Sequence, residues 1–155
     1  DVPHLDEAMQ APRSVYILDT NLRTPPGAKL LQSKGTVLVC VDDSHAANFP
    51  VEVLKISAGA DGRVELTSLL AELAKREHSE VLFECGATLA GSLINTDVID
   101  EIIVYVAPRF MGSDARSLLN LPEIGRMSDI KALTITDIRQ VGPDFRVTAS
   151  VETTR

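Results

Sequence analysis

Only two cysteines, Cys40 and Cys85, occur in 155 residues. That is too few for the disulfide framework of a small secreted domain. Both sit in apolar runs and are expected as free thiols in a reducing cytoplasm. Long apolar runs are also missing. The longest, Gly35 to Val41 and Ile102 to Ala107, fall far short of the ~20 residues that cross a bilayer, so no membrane partner is expected. The opening residues, Asp-Val-Pro-His-Leu-Asp-Glu, carry neither a basic start nor an apolar signal core, and export is not expected. An acidic start without Met is expected of a chain that begins partway through a longer product.

Positive charge is in deficit. Fifteen Lys and Arg stand against 22 Asp and Glu, a formal net charge of −7. Binding a nucleic-acid backbone needs a basic face, so no nucleic-acid partner is expected. A small phosphorylated ligand held at a local site remains compatible with that charge. His4, His45 and His78 lie far apart with no metal-ligand spacing, and no metal site is expected. No serine sits in a Gly-x-Ser-x-Gly elbow. What is present is ordinary: 45% hydrophobic and 24% charged residues, the composition of a folded domain rather than a disordered chain.

Along the chain, residues 1–10 read as a connector. Ser14 to Leu18 is a compact apolar strand stopped at Asp19-Thr20. Pro25-Pro26-Gly27 marks a loop followed by at most a helical turn. Thr36 to Val41 is apolar on both faces, as in a buried parallel strand. Val51 to Ile56 alternates like a strand with one wet face. Leu66, Leu69, Leu70 and Leu73 follow helical spacing and predict an amphipathic helix over about Glu65 to Glu77. Glu80 to Glu84 reads as a strand, Gly86 to Ile94 as a helix opened by a glycine, and Asp100 to Ala107 as a strand halted by Pro108. Residues 109–127 read as loop. Ala132 to Gln140 and Asp144 to Val151, around Val141-Gly142-Pro143, predict a β-hairpin. The order implies an α/β fold whose sheet is parallel in part, with an antiparallel edge.

The strongest local signal is Phe83-Glu84-Cys85-Gly86-Ala87-Thr88-Leu89-Ala90-Gly91. A strand would feed a small-residue turn, and the free N–H groups of the following helix would offer an anion site. Small residues at 86, 87, 90 and 91 would admit a ligand close to the backbone. The pattern is neither a three-glycine Rossmann loop nor a Walker loop, and a helix that merely packs tightly fits it as well. Glu84 reads either as a ligand-binding carboxylate at a strand's carboxyl end or as a salt-bridged strand end. Thr88 binds phosphate or caps its neighbours. Asp19-Thr20 lines the same edge or simply forms a turn. Cys85, at a helix start, reads as a buried or partly buried spectator. Arg109 and Arg116, around Gly112-Ser113-Asp114, are a loop over a phosphate or plain solvated arginines.

The stretch from Leu82 to Leu93 resembles the nucleotide-binding segment of the reductase domain of the bifunctional riboflavin-biosynthesis deaminase–reductase. That family shows there a hydrophobic strand, Glu, a small residue, Gly, a variable residue, Thr or Ser, Leu, Ala and Gly. Val98-Ile99-Asp100-Glu101 with Ile103 to Pro108, Met111 to Arg116, Val141-Gly142-Pro143-Asp144, and Ala11 to Thr20 resemble further family segments in the same order. The resemblance covers about residues 11–151.

It implies a dihydrofolate-reductase-like mixed sheet, mostly parallel with a C-terminal antiparallel hairpin, and NADPH as cofactor. The implied reaction reduces 5-amino-6-(5-phosphoribosylamino)uracil to its ribitylamino product, by hydride transfer to the ring-opened imine. Gly86, Ala87, Thr88, Leu89, Ala90, Gly91 and Ser92 match the dinucleotide-binding loop. Thr20 matches a cofactor-contacting Ser, and Glu84 a substrate-contacting carboxylate. No catalytic residue is assigned, since the protein's main task would be to hold donor and acceptor together. The zinc deaminase signature of the family and the opening part of its reductase domain do not occur here. The chain is therefore expected to be the C-terminal portion of one reductase domain (11–155). Its expected partners are the N-terminal remainder, a deaminase domain and a second copy in a homodimer. Two alternatives remain: a non-catalytic nucleotide-binding or assembly fragment, and a related pyrimidine or pterin reductase of the same fold.

Overall fold

The computed structural model describes residues 14–123, 125–126 and 130–152. The connector read over 1–10 and the first residues of the family resemblance lie outside them. Two compact units divide between Ser79 and Glu80.

The first unit is built on three parallel strands in the order β1-β2-β3, with β1 Val15–Leu18, β2 Thr36–Cys40 and β3 Glu52–Lys55. Val15 pairs with Thr36 and Leu18 with Val39; Val37 pairs with Glu52 and Cys40 with Lys55. Every residue of β2 is buried, which is what an unbroken apolar, β-branched run in a central strand requires. A 3-10 turn, Lys29–Gln32, follows the Pro-Pro-Gly loop and buries Leu31.

Helix α1 spans Leu66–Lys75. Glu65 caps it, its carboxylate accepting the N–H groups of Thr67 and Ser68; hydrogen bonds from the Ser68 and Thr67 side chains, with these backbone ones, hold the carboxyl down to about 2. Leu66, Leu69 and Leu73 recur on one face and are buried. Leu69 and Leu73 join Val39, Ile56 and Val64 in the core, each full leucine burial contributing roughly 1.5–3 kcal/mol. The helix stops where Glu77 turns to φ 65. Glu77 N–H then donates to Ala74 and His78 N–H to Leu73, the paired closure that satisfies orphan carbonyls at a helix end. This stop carries His78 to the Tyr16 hydroxyl, 2.9 Å away. Arg76 reaches Glu52 on β3 at 2.7 Å.

The second unit contains α2 Ala87–Asn95 and three antiparallel strands in the order β4-β6-β5. These are β4 Glu101–Val106, β5 Leu133–Val141 and β6 Asp144–Val151. The predicted hairpin forms, with Val141 opposite Asp144. Gly142 has φ 60 and precedes Pro143, the glycine-first arrangement of a two-residue turn that follows the twist of the strands. A register shift between Ile135 and Asp137 bulges β5.

One predicted strand does not form. Residues 80–86 belong to no strand, and Leu82 is 77% exposed. The apolar run is strand-like, but a strand exists only where a neighbour takes its backbone donors and acceptors. No such neighbour is present among the described residues. The parallel and antiparallel parts are each a three-stranded sheet. The other predicted strands and both helices appear within two residues of their expected ends, with α1 shorter than Glu65 to Glu77.

Candidate functional site

The predicted site residues fall on both units. Thr20 belongs to the first, at the carboxyl end of β1, where parallel sheets present ligands. Glu84 through Ser92 belong to the second.

The end of β1 is organised by Asp19, which is buried. Its backbone N–H donates to the Val39 carbonyl at 2.8 Å, and Leu22 N–H donates back to the Asp19 carbonyl at 3.0 Å. Its carboxylate accepts both the N–H and the hydroxyl of Thr24, each at 2.6 Å. Burial alone would raise this carboxyl. The hydrogen bonds from the Thr24 hydroxyl and from the Arg23 and Thr24 backbone outweigh it, and the group lies below its ordinary value. Leu22 sits at φ 51 to close the turn. Ile17, Leu18, Asp19, Arg23 and Thr24 line an open depression of about 360 Å³. Thr20 is held through its carbonyl, which accepts from Val41 N–H at 3.2 Å.

In the second unit, helix α2 opens at Gly86, which lies in extended backbone at φ −82 and ψ 173. No side chain caps it, and Ala90 N–H donates to the Gly86 carbonyl at 3.0 Å. The N–H groups of the first turn are therefore left for water or a ligand. A Cβ added at Gly86 would meet nothing within 4 Å, so this glycine leaves open space at the positive end of the helix dipole.

Gly91 is small for a different reason. It is buried, and a Cβ there would overlap the Asn120 carbonyl oxygen and stand 2.7 Å from its carbon. The small-residue pattern thus mixes two functions. Gly86 keeps solvent-facing space free, while Gly91 lets the chain at Asn120 pack against the helix. Asn120 fastens the same contact, donating its N–H to the Ala87 carbonyl at 3.0 Å and its Nδ2 to Thr88 Oγ1 at 3.1 Å. Ser92 donates its hydroxyl to the Thr88 carbonyl at 3.1 Å.

Two local readings change. Glu84 is exposed and precedes α2 in a segment without strand pairing, so it does not stand at the carboxyl end of a sheet strand. Cys85 is exposed rather than buried, and partial desolvation pushes its thiol above the ordinary value; the helix start does not activate it. Both cysteines are free thiols. Asn120 was not legible as a site neighbour, because its contacts bridge 32 residues with no local spacing to signal them. No group of metal-ligating side chains occurs among the described residues, and no described helix is long and apolar enough to cross a membrane.

A parallel sheet, an antiparallel hairpin sheet and an uncapped helix behind a glycine turn define an α/β fold of the dihydrofolate-reductase-like class. More particularly, the chain belongs to the RibD C-terminal domain family, which matches residues 2–147. It is 32% identical over 129 residues to the riboflavin biosynthesis protein RibD of Escherichia coli, covering 83% of this chain and 35% of that protein. It is 30% identical over 135 residues to the 5-amino-6-(5-phosphoribosylamino)uracil reductase of Buchnera aphidicola, covering 86% of this chain and 65% of that protein. The solved structure of Acinetobacter baumannii RibD, form 2, superposes with a TM-score of 0.76 at 29% identity, over 88% of this chain and 37% of that one. The chain thus spans about a third of the length of the RibD proteins it matches.

Proposed function

We propose that this chain is the nucleotide-binding, C-terminal part of an NADPH-dependent reductase of riboflavin biosynthesis that acts on 5-amino-6-(5-phosphoribosylamino)uracil. The observation that carries this reading is the start of α2, with no side-chain cap, open space at Gly86 and an exposed Thr88 beside it. Unpaired N–H donors and the helix dipole suit a phosphate there. Membership of the RibD C-terminal domain family and the name of the Buchnera relative supply the reaction.

In this reading Gly86, Ala87, Thr88 and Leu89 hold the dinucleotide phosphates, Ala90, Gly91 and Ser92 continue the loop, and Thr20 makes a further cofactor contact through its hydroxyl. When bound, NADPH supplies a hydride for the imine carbon of the ring-opened substrate. Glu84 orients a polar part of the substrate and is not the proton donor. The protein's contribution is to hold the two reactants at near-attack distance. The proposal includes the N-terminal remainder of the reductase domain and a zinc deaminase domain as partners in a cytoplasmic homodimer.

Titrating NADPH, with NADH as control, and following nicotinamide fluorescence tests the cofactor assignment. Adding the aminopyrimidine and following NADPH oxidation tests the reaction. Saturable NADPH binding with substrate-dependent oxidation is expected once the upstream segment is supplied. A folded chain that binds no NADPH even with that segment sinks the reading. Binding without turnover leaves a nucleotide-binding module, and competition by pyrimidines against pterins separates the related reductases.

A further inference from the structure

We infer that Asn120 is a positioning residue for the dinucleotide loop, setting the direction of the Thr88 hydroxyl. This inference rests on the dinucleotide reading of α2. An amide nitrogen donates and does not accept. With Asn120 Nδ2 donating to Thr88 Oγ1, the hydroxyl oxygen is the acceptor and its single proton points elsewhere. A helical threonine usually spends that proton on the carbonyl four residues back. Here that residue is Glu84, which precedes the helix. The proton of Thr88, exposed in the first turn, is therefore free for an anionic oxygen arriving at the helix start. The hydroxyl of Ser92, one turn later, is already given to the Thr88 carbonyl.

Two further contacts hold Asn120 in place: its N–H on the Ala87 carbonyl, and its own carbonyl against Gly91. Residues 87, 88 and 91 lie on neighbouring positions of one helix surface. Asn120 thus grips the turn at three points, and the segment after β4 returns to the helix at the phosphate-binding end. A role in packing alone would use the backbone contacts and leave the amide side chain without consequence for a ligand.

The test is NADPH affinity, by nicotinamide fluorescence, for wild type, Asn120→Ala, Asn120→Asp, Thr88→Ala, Thr88→Ser and the Asn120→Ala/Thr88→Ala pair, each with its melting temperature. Thr88→Ala should weaken binding about tenfold, near the lower end for a lost hydrogen bond to a charged group, and Asn120→Ala about fivefold, the scale of a lost neutral one. The double variant should be no weaker than Thr88→Ala, because both remove one interaction. Thr88→Ser should restore most of the affinity. Asn120→Asp should bind more weakly than Asn120→Ala, since a carboxylate takes the Thr88 proton for itself; it also carries the test if the alanine variant fails to fold. An Asn120→Ala protein that melts lower yet binds NADPH as wild type does would overturn the assignment, as would losses that multiply in the double variant. If wild type supplied with the upstream segment binds no NADPH, the dinucleotide reading falls and takes this assignment with it.

Discussion

Two glycines five residues apart in one motif should fail in opposite ways. At Gly91 an alanine Cβ would overlap the Asn120 carbonyl oxygen, with that residue's carbonyl carbon at 2.7 Å and nitrogen at 3.2 Å. All three are backbone atoms, so relief requires moving the chain at Asn120 and stretching its bonds to Ala87 and Thr88. Overpacking costs about 1–3 kcal/mol, and losing one or two neutral hydrogen bonds adds roughly 0.5–1.5 kcal/mol each. The better helix propensity of alanine offsets about 1 kcal/mol. Gly91→Ala should therefore destabilise by about 2 kcal/mol net. At the scale for chains of this size, that lowers the melting temperature by about 4–8 °C.

At Gly86 the same added carbon meets nothing, and φ −82 with ψ 173 is open to any residue. Gly86→Ala and Gly86→Val should melt close to wild type, apart from a small loss at the cap, while NADPH affinity falls. Thermal melts and NADPH titrations on the same three preparations decide it. A Gly91→Ala protein as stable as wild type, or a Gly86→Val protein that unfolds, refutes the division between a packing glycine and a ligand glycine.

Acid stability follows from the depressed carboxylates Glu65 and Asp19. A group whose folded value lies below its unfolded one stabilises above the unfolded value and loses that contribution as pH falls through the folded one. For Glu65 the window runs from 4.5 down to about 2, so denaturant midpoints should hold constant above about pH 5 and decline below. In Glu65→Gln that part of the decline should be absent; an unchanged acid limb would count against the cap. Leu82→Glu should leave the melting temperature within about 2 °C of wild type, since surface changes stay within about 0.5 kcal/mol and Leu82 is 77% exposed. A loss of more than 2 kcal/mol would show that 80–84 is a packed strand after all.

Much of the fold was legible because its signals are local. The run from Thr36 to Val41 announces a strand with no wet face, the leucines of α1 announce one buried stripe, and Gly142-Pro143 announces a hairpin. The run at 80–84 carried as strong a pattern as β1, yet pattern measures only what a residue tolerates. Pairing depends on a partner elsewhere in the chain. The site divides the same way. An uncapped helix start behind Gly86 could be read from neighbouring residues, whereas the different duties of Gly86 and Gly91 depend on Asn120, far along the sequence. The directions of the Thr88 and Ser92 hydroxyls likewise emerge only from their partners.

The wholly buried β2 has a kinetic consequence. Its amides are bonded between two parallel neighbours and no residue along it touches solvent freely. A small local opening cannot admit water to the middle of such a strand; β1 or β3 and the leucines of α1 must loosen together. Deuterium uptake at Val37, Leu38 and Val39 should therefore report cooperative opening of the first unit as a whole, while β5, exposed at all but one position, should exchange through smaller fluctuations. How long Leu38 keeps its proton is then a measure of the stability of the entire parallel sheet.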